Sequence, residues 1–301
     1  MRYKGRDRMK KAFSPRLMLV FSMVCFGTIG SFVRNINLPS GEIALYRAFL
    51  AILLIGGYML FTKQKIDFKK AKKELVLLAV SGGAMGVNWI LLFEAYKYTT
   101  VSVATLCYYF APVLVTLACP LLFKEKMGAK QWVCFVMATL GLALITGLGN
   151  LSEGGSHLKG ILFGISPAVF YATVVILNKY INQISGIHRT FLQFVSAFGV
   201  LLPYVLLTEG INLSSLNGVG WASLVPVGLL HTGVTYCLYF SALKDLSGQT
   251  AAVLSYIDPL VAVIVSVTLL GETITPVQLI GGALILGFTL LNEIKIKKEP
   301  R

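Results

Sequence analysis

Three formally charged side chains lie inside long apolar runs of this chain, Arg47, Glu94 and Asp258, and one histidine, His231, joins them. A charge in hydrocarbon is costly, turns to a protein interior or a wet cavity, and marks a functional candidate. Asp258 falls about ten residues into its run, directly before Pro259, and His231 falls near the middle of the run before it. A carboxyl and an imidazole at one depth could carry and relay a proton, or could hydrogen-bond two helices together. Arg47 and Glu94 lie near the outer end of their runs, where they could pair with each other or form a substrate-contacting pair in an outer vestibule. Ser255, Asp258, Ala262 and Ser266 form a small and polar stripe at helical spacing, suited to a cavity wall. Asn88, Trp89, Tyr108, Tyr109, Asn178, Tyr236 and Tyr256 add amphipathic groups over the same range of depth. Together they read as a mostly apolar pocket for a small organic solute.

Other chemistries find no support. The five cysteines sit in apolar runs with no CxxC spacing, and the three histidines are far apart, so no metal site is expected. There are no paired carboxylates, nucleophile triad or Walker motif, so neither catalytic residues nor a cofactor is expected. The net charge of +14 would ordinarily raise nucleic acid as a partner. Here the bases lie in tails and short loops between apolar runs, which is the pattern of membrane orientation.

The elements that must position these groups are membrane spans. Hydrophobic residues make up 56% of the chain, charged residues 13%, and mean hydropathy is +0.75. Ten apolar runs are long enough to cross a bilayer: about 17–33, 42–62, 74–96, 102–123, 130–147, 158–178, 188–207, 221–241, 248–270 and 276–294. With the N-terminus in the cytoplasm, the segments on that side hold 23 of the 27 Lys and Arg residues, so both termini are expected there. Pro112 and Pro259 fall inside spans, where each removes a helical hydrogen bond and is a candidate gating hinge. Thr275-Pro276 reads as a helix cap, with Glu272 at the same boundary favoured by the helix dipole; Glu125 stands at the matching boundary.

Residues 86–131 return 147 positions later as 233–278, with twelve identities in forty-six positions, among them Lys97/Lys244, Tyr109/Tyr256, Pro112/Pro259 and Glu125/Glu272. Matched polar residues at one offset indicate a duplicated unit. The units divide as a basic tail at 1–16, a first repeat at 17–148, a second at 157–294, and a tail at 295–301. Five spans per unit is an odd number, so the second copy enters the membrane upside down. The expected fold is all-α and integral to the membrane, with ten spans as two inverted five-helix repeats, the usual plan of secondary transporters.

The segment from Gly271 to Gln278 with Leu279-Ile-Gly-Gly282 resembles the helix 9–10 signature of the EamA-type drug/metabolite transporters. Phe93-Glu-Ala-Tyr-Lys97 with Pro112, and Tyr239-Phe-Ser-Ala-Leu-Lys244 with Pro259, are similar to its other signatures. Lys124-Glu-Lys-Met-Gly departs from the pattern in the first unit. The resemblance implies eight helices around a central cavity, helices 5 and 10 outside, and export of small metabolites such as amino acids, or of drugs, across the inner membrane. Partners are then a small-molecule substrate, membrane lipid and protons carried through Asp258 and His231; uniport is the rival. The alternative of another class is a membrane-embedded enzyme or flippase acting on a lipid-linked carrier.

Overall fold

The computed structural model describes residues 14–123, 127–146, 155–184, 186–243, 245–246 and 248–293, and among these it is helical throughout, without strands. Residues 1–13 and 294–301 at the basic tails, Glu125, Lys244 and residues 147–154 of the repeat boundary lie outside the described residues. Ten long helical runs follow in order, besides the short helices Phe68–Lys73 and Leu213–Ser215 in the connections: α1 Pro15–Val33, α2 Ser40–Phe61, α3 Leu75–Tyr98, α4a Val101–Tyr108 with α4b Ala111–Phe123, α5 Ala129–Thr146, α6 Gly155–Tyr180, α7 Ile187–Thr208, α8 Gly218–Leu243, α9a Gly248–Ser255 with α9b Ile257–Thr268, and α10 Pro276–Glu293. Seven runs are long and apolar enough to cross a membrane by themselves; α5, α9b and α10 are shorter apolar helices.

Local chemistry starts the helices where the sequence puts caps. Thr275 and Gln278 bond reciprocally, side chain to backbone, at 3.0 and 3.2 Å before α10, a capping box that satisfies two otherwise orphaned amides. Thr100 Oγ1 accepts from Val103 N at 3.1 Å to open α4a. Pro167, Pro203 and Pro226 sit within α6, α7 and α8 without breaking them, but Pro112 and Pro259 interrupt their spans. Without an N–H at Pro112, α4 splits at Tyr109–Phe110, and without one at Pro259, α9 splits at Tyr256. Between them in sequence, α8 widens into a π-helical turn at Leu229–Val234.

The end of the bundle where α1 begins is called here the basic end, and the other the far end. At the far end α4a packs on α9b; among the described residues no comparable packing joins α4b to α9a at the basic end. There α9a, through Ala251, joins Met18, Leu19 and Met23 of α1 and Ala242 of α8. On the other side α4b packs Val113 and Leu114 against Ala138 and Phe135 of α5. Helices α5 and α10 pair closely: a Cβ added at Gly141 or at Gly281 would lie 2.6 Å from the other's carbonyl oxygen.

Carboxylates tie the loops. Glu272 accepts from Val101 N at 2.8 Å and from the Ser266 hydroxyl, and pairs with Arg34 at 2.7 Å. Arg34 also donates to Thr99 O at 2.7 Å. Glu272 therefore serves the N-terminus of α4a, not that of α10 as the sequence suggested. The reason is geometric: α9b and α4a meet side by side at this end, and Thr275 already caps α10. At the basic end Glu74 accepts from the amides of Asn182, Gln183 and Ile184 at 2.7, 2.9 and 3.1 Å.

Candidate functional site

The two breaks face each other. Pro259 leaves the carbonyl of Ser255 without its helical donor, and the Tyr109 hydroxyl, from the break in α4, lies 3.4 Å from that oxygen. The same hydroxyl donates to Asp258 Oδ2 at 2.6 Å, the short distance of a charge-assisted bond. Tyr109 and its repeat counterpart Tyr256 bring their rings to 6.4 Å, and Tyr108 stands edge-on to Tyr109 at 6.0 Å. Helix α1 crosses α9b at the same point. Gly27 permits it, since a Cβ there would lie 2.5 Å from the Asp258 carbonyl oxygen. Asp258 stays partly exposed while Pro259 beside it is buried.

The π-turn of α8 turns two consecutive side chains to two different helices. His231 Nδ1 lies 3.1 Å from Pro226 O, and Nε2 lies 3.0 Å from Thr28 Oγ1 of α1. A carbonyl only accepts, so Nδ1 carries the hydrogen. Thr28 has one hydroxyl hydrogen, which Cys25 O of its own helix also accepts at 2.8 Å; a neutral ring takes it at Nε2 in place of that carbonyl, whereas an imidazolium donates to the hydroxyl and leaves the Cys25 bond in place. Thr232 Oγ1 donates to Val227 O and accepts from Arg47 Nε of α2, each at 2.7 Å. The guanidinium carbon of Arg47 lies 4.3 Å from the Trp89 ring centroid and 5.6 Å from that of Phe93. Tyr96, Tyr108 and Tyr236 lie within electrostatic reach of both Arg47 and Asp258.

Both ion-like pairs expected from depth are absent as drawn. Asp258 bonds Tyr109 rather than His231, because α1 stands between α8 and α9b and takes the imidazole through Thr28. Glu94 does not pair with Arg47; it accepts from Ser40 Oγ at 2.6 Å and meets Lys97 at 2.9 Å, one helical turn along its own helix. Arg47 is drawn inward by Thr232 and Trp89. Two further candidates have structural partners. Asn88 Nδ2 donates to Pro167 O at 2.6 Å, tying α3 to α6. Asn178 Oδ1 accepts from Gln193 Nε2 at 2.8 Å, and Gln193 also donates to Ser81 at 2.6 Å, a polar knot of α3, α6 and α7 separate from the Asp258 group. Tyr236 stands edge-on to Phe26 at 5.1 Å and to Phe194 at 5.2 Å.

Thr28, Thr232 and Phe194 were not legible as site residues. A threonine in an apolar run reads as satisfied by its own helix, and only the π-turn shows that Thr232, its hydrogen given to Val227 O, accepts from Arg47.

A ten-helix bundle in two like halves, with a carboxylate and two tyrosines where two proline breaks meet, is the architecture of a membrane transporter. The EamA-like transporter family matches residues 14–147 and again 158–293, and the chain belongs to that family. It is 32% identical over 263 residues to the Bacillus subtilis "Uncharacterized transporter YxxF", covering 87% of this chain and 84% of that one. An "Uncharacterized transporter" of Archaeoglobus fulgidus is 30% identical over 274 residues, with 91% and 94% covered. A solved structure described only as "Crystal structure of protein" has the same fold, with a TM-score of 0.64 at 15% identity over 92% of this chain and 96% of that one.

Proposed function

We propose that this protein is a secondary active transporter that exports small organic metabolites across the inner membrane by alternating access, with Asp258 carrying the coupling proton. One observation carries the reading: the single carboxylate in the centre sits on a helix break and is held by a tyrosine from the opposing break. Its protonation then bears directly on the contact between two hinges. As a carboxylate, Asp258 takes the Tyr109 hydroxyl hydrogen; once protonated it gains a donor of its own and accepts only as a neutral carboxyl, so the break-to-break bond loses its charge assistance. A proton taken up by Asp258 from outside and released inside would drive the exchange of states in the direction opposite to solute, which is antiport. The packing of α4a on α9b and the Arg34–Glu272–Val101 clasp support a far end closed to the outside, with the basic end as the mouth. The charge distribution supports the cytoplasm as the basic side and both termini there. His231 and its Thr28 contact stand one helix away, suited to tuning the pH profile rather than carrying the proton.

Asp258→Asn keeps size and hydrogen bonding and removes ionisation. Solutes that raise the melting temperature of the purified protein, from a panel of amino acids, nucleosides and drugs, would be loaded into proteoliposomes. The variant is expected to lose pH-gradient-driven transport while retaining exchange of labelled for unlabelled solute. Undiminished gradient-driven transport in the variant would remove Asp258 as the carrier and leave a uniporter.

A further inference from the structure

We infer that the transported solute is an organic anion, a carboxylate on a flat apolar body, and that Arg47 is the residue that receives it. The inference rests on the central site being the solute site. Arg47 is 4% exposed, and its only hydrogen bond among the described residues is from Nε to Thr232. Its two terminal nitrogens, the fork that matches a carboxylate in bidentate geometry, make none. No acid among the described residues compensates the charge. Glu42 is taken by Asn212, Glu94 by Ser40 and Lys97, Glu209 by the amides of Gly41 and Glu42, and Asp258 by Tyr109. A buried cation held only by a hydroxyl and ring faces is undercompensated, and removing or withholding its counter-charge is strongly unfavourable.

The surroundings set the rest of the solute. Trp89 lies under the guanidinium and edge-on to Phe194 at 5.5 Å, Phe194 stands on Tyr236 at 5.2 Å, and Tyr236 on Phe26 at 5.1 Å. Trp89 and Phe194 are buried and back this row of rings, while Tyr236 and Phe26 at its other end stay partly exposed and offer the faces suited to stacking a planar apolar group. A structural strut would account for Arg47 on Trp89, but not for an unused fork at a buried position.

The wild-type full-length protein in detergent can decide without any variant. Benzoate, phenylacetate and indole-3-acetate would each be compared with its own primary amide, by melting temperature and by quenching of intrinsic tryptophan fluorescence. The acids are expected to bind roughly tenfold or more tightly than the amides, since the amide leaves the guanidinium uncompensated. Arg47→Lys keeps a cation and loses the fork, and is expected to weaken the acids roughly tenfold while leaving the amides unchanged. Equal binding of acid and amide, binding of neither, or acids unaffected by Arg47→Lys in a folded variant would each overturn the anion site. Asp258-dependent, gradient-driven movement of the amides but not the acids would overturn the anion and leave the transporter standing. Acids held at Arg47 but driven by no gradient would overturn proton coupling and leave the anion site.

Discussion

The break in α4 and the break in α9 are the same backbone device, yet only one of them carries a carboxylate. Both come from a proline at the same place in the repeat, both put a tyrosine at the junction, and the two tyrosines meet. At the residue before each proline the copies part: Ala111 is buried at 1% exposure, and Asp258 remains partly exposed with Tyr109 bound to it. The neighbourhood diverges in step, with His231 where the other half has Ala84, and Tyr236 where it has Trp89. Duplication therefore supplies the two-state frame, since inverted halves can exchange shapes. Divergence supplies the charges that could couple the exchange to a gradient.

Moving the carboxylate across tests this division most severely. In the double variant Asp258→Ala with Ala111→Asp, the acid would sit at the equivalent break without His231 or the Tyr109 contact. Gradient-driven transport is expected to stay about a hundredfold below wild type, about 2.7 kcal/mol, in a protein whose melting confirms folding. Recovery to wild-type rates would show that either break can host the acid. A smaller effect separates the tyrosines. Tyr109→Phe removes a charge-assisted hydrogen bond and is expected to slow coupled transport roughly tenfold, while Tyr256→Phe stays within about twofold; equal losses would make the junction symmetric after all. The prolines should matter less and alike. Pro112→Ala and Pro259→Ala each restore a backbone donor to a broken span. Exchange in proteoliposomes should fall several-fold, by about 1 kcal/mol, with equilibrium binding unchanged. Loss of binding and folding together would make the breaks packing shapes only.

How much of this could be read from sequence follows from what periodicity and spacing encode. The offset of 147 that pairs Pro112 with Pro259 requires both copies of the break, and an odd number of spans requires inversion. Apolar length alone separates α1, α2 and α3. What stayed hidden depends on rotation about helix axes, which linear spacing does not fix at this precision. Asp258 and His231 share a depth, but α1 lies between them, and Gly27, whose missing side chain lets α1 in, looks like any small residue in a membrane span. Arg47 and Glu94 also share a depth, yet a long side chain can reach two helices, and the π-turn offered Arg47 a better partner inside. Glu272 could be placed at a helix N-terminus by its spacing from Pro276, but which helix it serves is a matter of which two elements meet at the far end.

The third helix of each half sharpens the comparison at its smallest scale. Helix α8 opens on Asn217, whose Oδ1 accepts from Gly220 N at 2.8 Å, a neutral cap on its own helix. Helix α3 opens on Glu74, which turns instead to the α6–α7 connection and accepts three of its amides. Burial pushes the Glu74 carboxyl up, but the three amide donors and nearby Arg189 together outweigh it and hold it below the usual glutamate range. A folded value below the unfolded one means that the unfolded chain takes up its proton first on acidification. The stability from Glu74 is then fully present above about pH 4.3, the unfolded glutamate value, and is lost as pH falls through the lower folded value. Glu74→Gln should reduce stability near neutral pH by about 1 kcal/mol. Its melting temperature should converge with that of wild type as pH drops below about 4.3, the unfolded glutamate value. Asn217→Ala should cost about 1 kcal/mol as well, but by the same amount at every pH. Neither change touches the central site, so transport at neutral pH should hold within about twofold. A Glu74→Gln deficit that persists unchanged into acid would show that the carboxylate's charge is not what ties the α6–α7 connection to α3.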